Sequence, residues 1–192
     1  MATIVVARPS LWARLVQVAR RPMSFWQRLA VAVVYAGLAA WLVHPWIAMQ
    51  LVIYGNDALT VGDPAYARHL YDRALWLDSR NRFAAEGWMM ATTELRRPGS
   101  DKLAMHFATR YLARDPEAIE VRRLLAVAEW HSGARVQAAI DYNLVARMRG
   151  TDIDWEFALS SAVQAGIPQL QRAARVGLAH VAPDDPLLRR RP

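Results

Sequence analysis

The sequence predicts an all-α chain: one N-terminal transmembrane helix followed by a solenoid of about four helical hairpins. Three observations predict it. Residues 29–56 run for 28 positions without a charge. Gly62, Gly99, Gly133 and Gly166 recur at spacings of 37, 34 and 33 residues. Nothing in the body alternates apolar and polar side chains with the period of two that marks a half-buried strand.

The first 24 residues carry their own pattern. Leu11, Trp12, Leu15, Val16 and Ala19 recur on one helical face, and Arg14, Gln17, Arg20 and Arg21 take the other. A short amphipathic helix of this kind suits a membrane surface, with its arginines at anionic headgroups.

Residues 25–47 supply roughly the ~20 apolar positions that a ~30 Å hydrocarbon layer requires. Trp26 stands near one end, and Trp41 and Trp46 near the other, as tryptophans at the two membrane interfaces do. No small-x-small cleavage site follows the apolar run, and Pro45 and Trp46 occupy the place where one is expected. The segment therefore reads as an uncleaved anchor. All five arginines of residues 1–55 lie on the N-terminal side of the uncharged run that starts at Leu29, with no acid among them, so the N-terminus is expected in the cytoplasm and the body beyond the membrane. In a bacterium that compartment is the periplasm. The arginine bias (Lys102 is the single lysine among 24 basic residues) fits a GC-rich bacterial genome.

Composition narrows the function. The net charge of +7 sits at the two ends, since residues 56–192 hold 19 basic against 17 acidic side chains. A nucleic-acid binder places its basic stripe on the folded face, so that class is disfavoured. The absence of cysteine excludes a disulfide framework and thiolate chemistry.

The repeat follows from the glycines. The segment from Val61 to Asn81, VGDPAYARHLYDRALWLDSRN, places Gly62 at a turn and Ala67, Tyr71 and Ala74 on the helix after it. A second unit offers Trp88, Gly99, Ala104 and Pro116, and a third offers Ala126, Gly133, Ala138 and Tyr142. The fourth has Trp155, Gly166 and Pro183, but Gln171 and Arg175 replace the small and aromatic residues, as on a terminal cap. Unit boundaries fall near 48–81, 85–118, 119–151 and 152–185. Glycine permits a left-handed turn after each first helix, and alanine lets the second helix approach closely. Trp88, Trp155 and Leu51 are expected to fill the space between hairpins, and Pro116 and Pro183 to end helices. Residues 186–192 read as a basic tail. The span is expected to break near Pro45 and run into the first repeat helix with almost no linker, which holds the repeats near the bilayer.

This pattern resembles the tetratricopeptide-repeat (TPR) family of membrane-anchored bacterial type, over about three-quarters of the chain. The resemblance implies a TPR-like helical-hairpin solenoid that binds other proteins on a concave face lined by the first helix of each pair. By that alignment the partner-binding positions are Asn56, Met89, Thr93, Arg123, Trp130 and Glu156. The lysine and asparagine set with which chaperone-type TPRs clamp a terminal carboxylate is missing, with Asn56 alone matching. The ligand implied is a folded surface or an internal segment.

No catalytic set emerges: there is no glycine-rich phosphate loop, Ser-His-Asp order or His-Glu metal spacing. Asp152, Asp154 and Glu156 read as acids on an exposed helix start, where they complement the dipole. His69, His106, His131 and His180 fall in separate repeats, as surface or half-buried helical residues. His44 lies in the span, four residues after Ala40. This resembles the Ala-x-x-x-His arrangement of bacterial light-harvesting polypeptides and makes His44 a candidate bacteriochlorophyll or haem ligand, although Pro45 follows at once. The expectation is a non-enzymatic scaffold without a cofactor, an accessory or assembly subunit of a larger bacterial inner-membrane complex. Its partners are protein subunits and the lipid bilayer, met by Trp12, Arg14, Arg20, Arg21, Trp26 and Trp46. The alternative is a cofactor-bearing membrane subunit of a photosynthetic or respiratory complex.

Overall fold

The computed structural model describes residues 24–189. The amphipathic arm, with Trp12, Arg14, Arg20 and Arg21, and the last three residues lie outside them. Among the described residues all regular structure is helical: α1 Phe25–Thr60, α2 Pro64–Leu77, α3 Arg82–Glu94, α4 Ser100–Leu112, α5 Ile119–His131, α6 Arg135–Arg149, α7 Asp152–Gln164, α8 Pro168–Val181 and the short α9 Pro186–Arg189. The chain divides into two compact units, Met1–Val43 and His44–Pro192.

The described part of the first unit is the start of α1. This helix has 36 residues and a mean hydropathy of 1.6 over its most apolar window, none of it buried. It is long and apolar enough to cross a membrane. Sequence places a break at Pro45, and the structure corrects this: α1 runs through Pro45 to Thr60. Proline forfeits one backbone N–H and crowds the carbonyl four residues back, a cost of about 3 kcal/mol. The hydrogen bonds of the turns on either side remain, and they carry the helix across.

The second unit is a stack of helical hairpins. Each helix from α2 onward packs on the next, and α3 also meets α5, as α6 meets α8. Local chemistry sets the turns. Gly62, Gly99, Gly133 and Gly166 hold φ of 83°, 87°, 85° and 68°, values that side chains with a Cβ rarely adopt. Helix starts are capped where the sequence provides for it: Asp63 accepts from the Tyr66 amide, Asn81 from Ala84 and Thr151 from Asp154. α4 ends at Leu112 and α8 at Val181, each before the proline expected to stop it.

Packing explains the repeat signature. Ala67, Ala74, Ala104, Ala108 and Ala138 are wholly buried on second helices. The buried Tyr71 ring lies against two glycines: a Cβ would stand 2.6 Å from it at Gly55 and 2.3 Å at Gly87. Its hydroxyl donates to Asn56 Oδ1 at 2.7 Å, and burial pushes its pKa up to about 12. Trp155 uses Gly177 of α8 in the same way, at 2.4 Å from a built Cβ. The buried apolar residues form two clusters, one from Ala48 to Ala128 and one from Ala126 to Leu178.

Two polar features of α8 gain a purpose. Gln171 donates from Nε2 to the Ala162 carbonyl at 3.2 Å, and Arg175 from Nη1 to the Leu188 carbonyl at 3.1 Å. Both residues replace apolar packing with bonds that tie down backbone. Within the stretch read as a basic tail, residues 186–189 form α9, and Leu187 and Leu188 pack on the second core cluster.

Candidate partner-binding face

The first helices are the end of α1, α3, α5 and α7. Counting from the turn glycines, Ile53, Met90, Leu124 and Phe157 occupy the same place in each, nine residues before the glycine. Ile53, Met90 and Phe157 are 42%, 41% and 50% exposed, while Leu124 is buried. An apolar side chain thus recurs at one register position, and three of the four meet solvent. Ile153 and Met49 extend the exposed apolar surface of α7 and α1.

Two cavities open along these helices. One, of about 220 Å³, is lined by Trp130, Tyr142, Phe157, Ser160, Ser161 and Gln164. Tyr142 and Phe157 stack there with ring centroids 5.7 Å apart, and the Arg135 guanidinium lies 5.7 Å from the centre of the Trp130 ring. The other, of about 230 Å³, lies among Arg82, Glu86, residues 117–120 and Arg149. Glu120 accepts from Arg123 Nε at 2.7 Å and also pairs with Arg149. Arg82 forms a two-pronged pair with Asp115, at 2.7 and 2.8 Å, which holds the Asp115 carboxyl below its ordinary range. Glu86 makes no direct ion pair among the described residues; burial, and then the nearby Glu120, raise its pKa.

The positions expected to bind a partner separate into groups. Asn56 is exposed but accepts the Tyr71 hydroxyl. Met89 is wholly buried and belongs to the core. Thr93 is half-buried and returns its hydroxyl to carbonyls of its own helix, Met89 and Met90. Arg123 is half-buried in the Glu120 pair, and Trp130 lines the first cavity. Glu156 is half-buried, with its pKa raised by burial and by Asp185. Asp154 is buried, in place of the exposed helix start expected: it takes the Thr151 hydroxyl at 2.6 Å and lies 3.8 Å from Arg149. The sequence reading missed the row through Ile53, Met90 and Phe157, although the glycine spacing applied to the first helices finds it.

Along α1, Trp26 and Trp46 are 73% and 63% exposed. Ala40 and His44 are also exposed, one turn apart on α1. No group of three or more potential metal ligands occurs among the described residues. The reading of His44 as a pigment or haem ligand finds no support in this arrangement.

No protein-family model matches the chain, and no curated protein is significantly similar to it. Solved structures are similar in fold. The crystal structure of MamA superposes with a TM-score of 0.56 at 15% identity, covering 82% of this chain and 92% of that one. TTC0263, a thermophilic TPR protein of Thermus thermophilus, gives 0.47 at 15% identity, covering 74% and 95%. YrrB, a TPR protein described as having an unusual peptide-binding site, gives 0.41 at 17% identity, covering 73% and 89%. The likeness to MamA shows the fold alone, a stack of helical hairpins.

Proposed function

We propose that this chain is a membrane-anchored scaffold that holds a segment of another protein on its first-helix face, as an accessory or assembly subunit of a larger bacterial membrane complex. The observation that carries the reading is the register row of Ile53, Met90 and Phe157. Exposed apolar side chains are common singly, but an apolar row kept in register with the repeat is surface that a partner would cover. The stacked Tyr142–Phe157 pair and Trp130 beside it offer the aromatic anchors that dominate binding energy. The Glu120–Arg123–Arg149 cluster offers charges to set register and orientation.

Membrane anchoring rests on α1. Its N-terminal half exposes Phe25, Trp26, Val33, Val34, Tyr35, Leu38, Trp41 and Leu42. Such a surface calls for lipid, and the arginines before it favour a cytoplasmic N-terminus with the repeats in the periplasm of an inner membrane. On this reading the chain acts by binding.

The test is co-purification from native membranes in mild detergent, comparing the wild type with the double variant Met90→Asp, Phe157→Asp. Both positions are solvent-exposed, so the melting temperature should hold. A stoichiometric membrane-complex subunit should come with the wild type and fall at least tenfold in the variant. Equal recovery by both, or no stoichiometric partner with the wild type, would remove the proposal.

A further inference from the structure

A third cavity lies away from the first-helix face. It measures about 320 Å³ and opens between the end of α2, α3 and one side of α4. That is at the small end of the ~300–1,000 Å³ of ligand pockets. Its wall is an aromatic stack: Trp88 and Phe107 lie 4.3 Å apart, and Phe107 and Tyr111 lie 5.9 Å apart. Trp88 stands two residues from Met90, so on a 3.6-residue turn it points to the opposite side of α3.

The polar tips of the stack are already engaged. Trp88 Nε1 donates to Asp72 at 2.6 Å, and the Tyr111 hydroxyl donates to the Arg80 carbonyl at 2.9 Å. The rings are held in place, and their apolar faces are left to the cavity. Preorganised aromatic walls lose little entropy when they bind.

The rim has one sign of charge. His106 and Arg110 on α4 and Arg114 in the turn just past its end follow one another at four-residue steps, and all three are exposed. None forms an ion pair among the described residues. Of the acids in this neighbourhood, Asp72 accepts from Trp88, Asp115 pairs with Arg82 and Asp78 accepts from the Arg80 amide. Two uncommitted guanidinium groups, those of Arg110 and Arg114, beside an apolar slot fit an apolar side chain flanked by carboxylates. Guanidinium groups favour that carboxylate geometry.

We infer that the cavity between α2, α3 and α4 is a second docking site, which takes one large apolar side chain of an acidic peptide segment from a partner protein, with Arg110 and Arg114 pairing to the flanking carboxylates. The Trp88 and Phe107 faces receive the apolar group, and Arg110 on α4 with Arg114 just past its end flank the peptide's path. The site is separate from the first-helix face, so the chain can hold two segments at once.

The experiment uses the full chain in nanodiscs of neutral lipid, a random heptapeptide display library, and counter-selection against Arg110→Glu, Arg114→Glu. The library should yield peptides with a Leu, Phe or Trp next to Asp or Glu. The recovered peptides should bind the double variant at least tenfold more weakly, and Leu103→Trp, which fills the cavity mouth, should block them. Met90→Asp, Phe157→Asp should bind them as the wild type does. Three results would each overturn the assignment: no enrichment, enrichment of basic peptides, or binding that the charge reversal leaves unchanged. Saturable binding of anionic phospholipid vesicles at Arg110 and Arg114, with no peptide selected, would also overturn it in favour of a lipid site. Thermal melts of each variant separate lost binding from lost folding.

Discussion

At the scale of single residues, the third hairpin carries an interior polar group that its neighbours lack. Arg122 stands where the second and fourth repeats have Trp88 and Trp155, and it pairs with Asp141 at 3.0 Å. Glu129 is buried, and burial together with Asp141 raises its pKa from 4.5 to about 7. The folded chain then holds more protons than the unfolded chain between those two values. This group's contribution to stability is complete below the unfolded value and is lost as pH rises through the folded one. At ~1.4 kcal/mol per pKa unit the loss is bounded at about 3 kcal/mol. Glu129→Gln should therefore stabilise the chain at pH 8 by about 1–3 kcal/mol and flatten the melting temperature between pH 5 and 8; an unchanged slope would exclude the residue. The Tyr71 niche is as specific. Gly87→Ala should cost about 1–3 kcal/mol through overpacking, despite alanine's better helix propensity. The cost should vanish in a Tyr71→Ala background, as a double-mutant melt can show. Tyr71 and its flanking alanines were legible in sequence. The two glycines that receive its ring were not, because a mid-helix glycine looks like a weakness until its neighbour is known.

At the scale of elements, the turn glycines and alanines report the hairpins faithfully, because a left-handed turn and a close helix approach each demand one residue type. Long-range compensation is harder to read. Pro45 looks like a helix end, yet the turns on both sides carry α1 past it. Gln171 and Arg175 look like a cap's outer face, yet each bonds a backbone carbonyl outside its own helix. The start of α7 shows local and distant effects together. Thr151 caps the Asp154 amide while its hydroxyl donates to the Asp154 carboxylate, so the carboxylate can be buried. Thr151→Ala should lower stability by about 1 kcal/mol. Thr151→Ser should recover most of it, and equal melting of both variants would show that the cap does not matter.

At the scale of the whole molecule, the candidate site was half legible. The sequence points to the first helices and to Trp130, the same face that is proposed here to bind a partner. The sequence reading chose Met89 over Met90, a step of one residue that turns 100° around a helix and exchanges surface for core. The proposed topology has its own check: a reporter active only outside the cytoplasm, fused after Arg189, should be active, and one fused before Ser24 should be silent. The central claim is that the first-helix row holds a partner. A photo-crosslinking amino acid placed singly at Ile53, Met90 or Phe157, with Val176 of α8 as control, tests it most directly in living cells. The account predicts one shared crosslinked protein from the three row positions and none from Val176. Crosslinks from Val176 to that same protein, or none from the row, would contradict it.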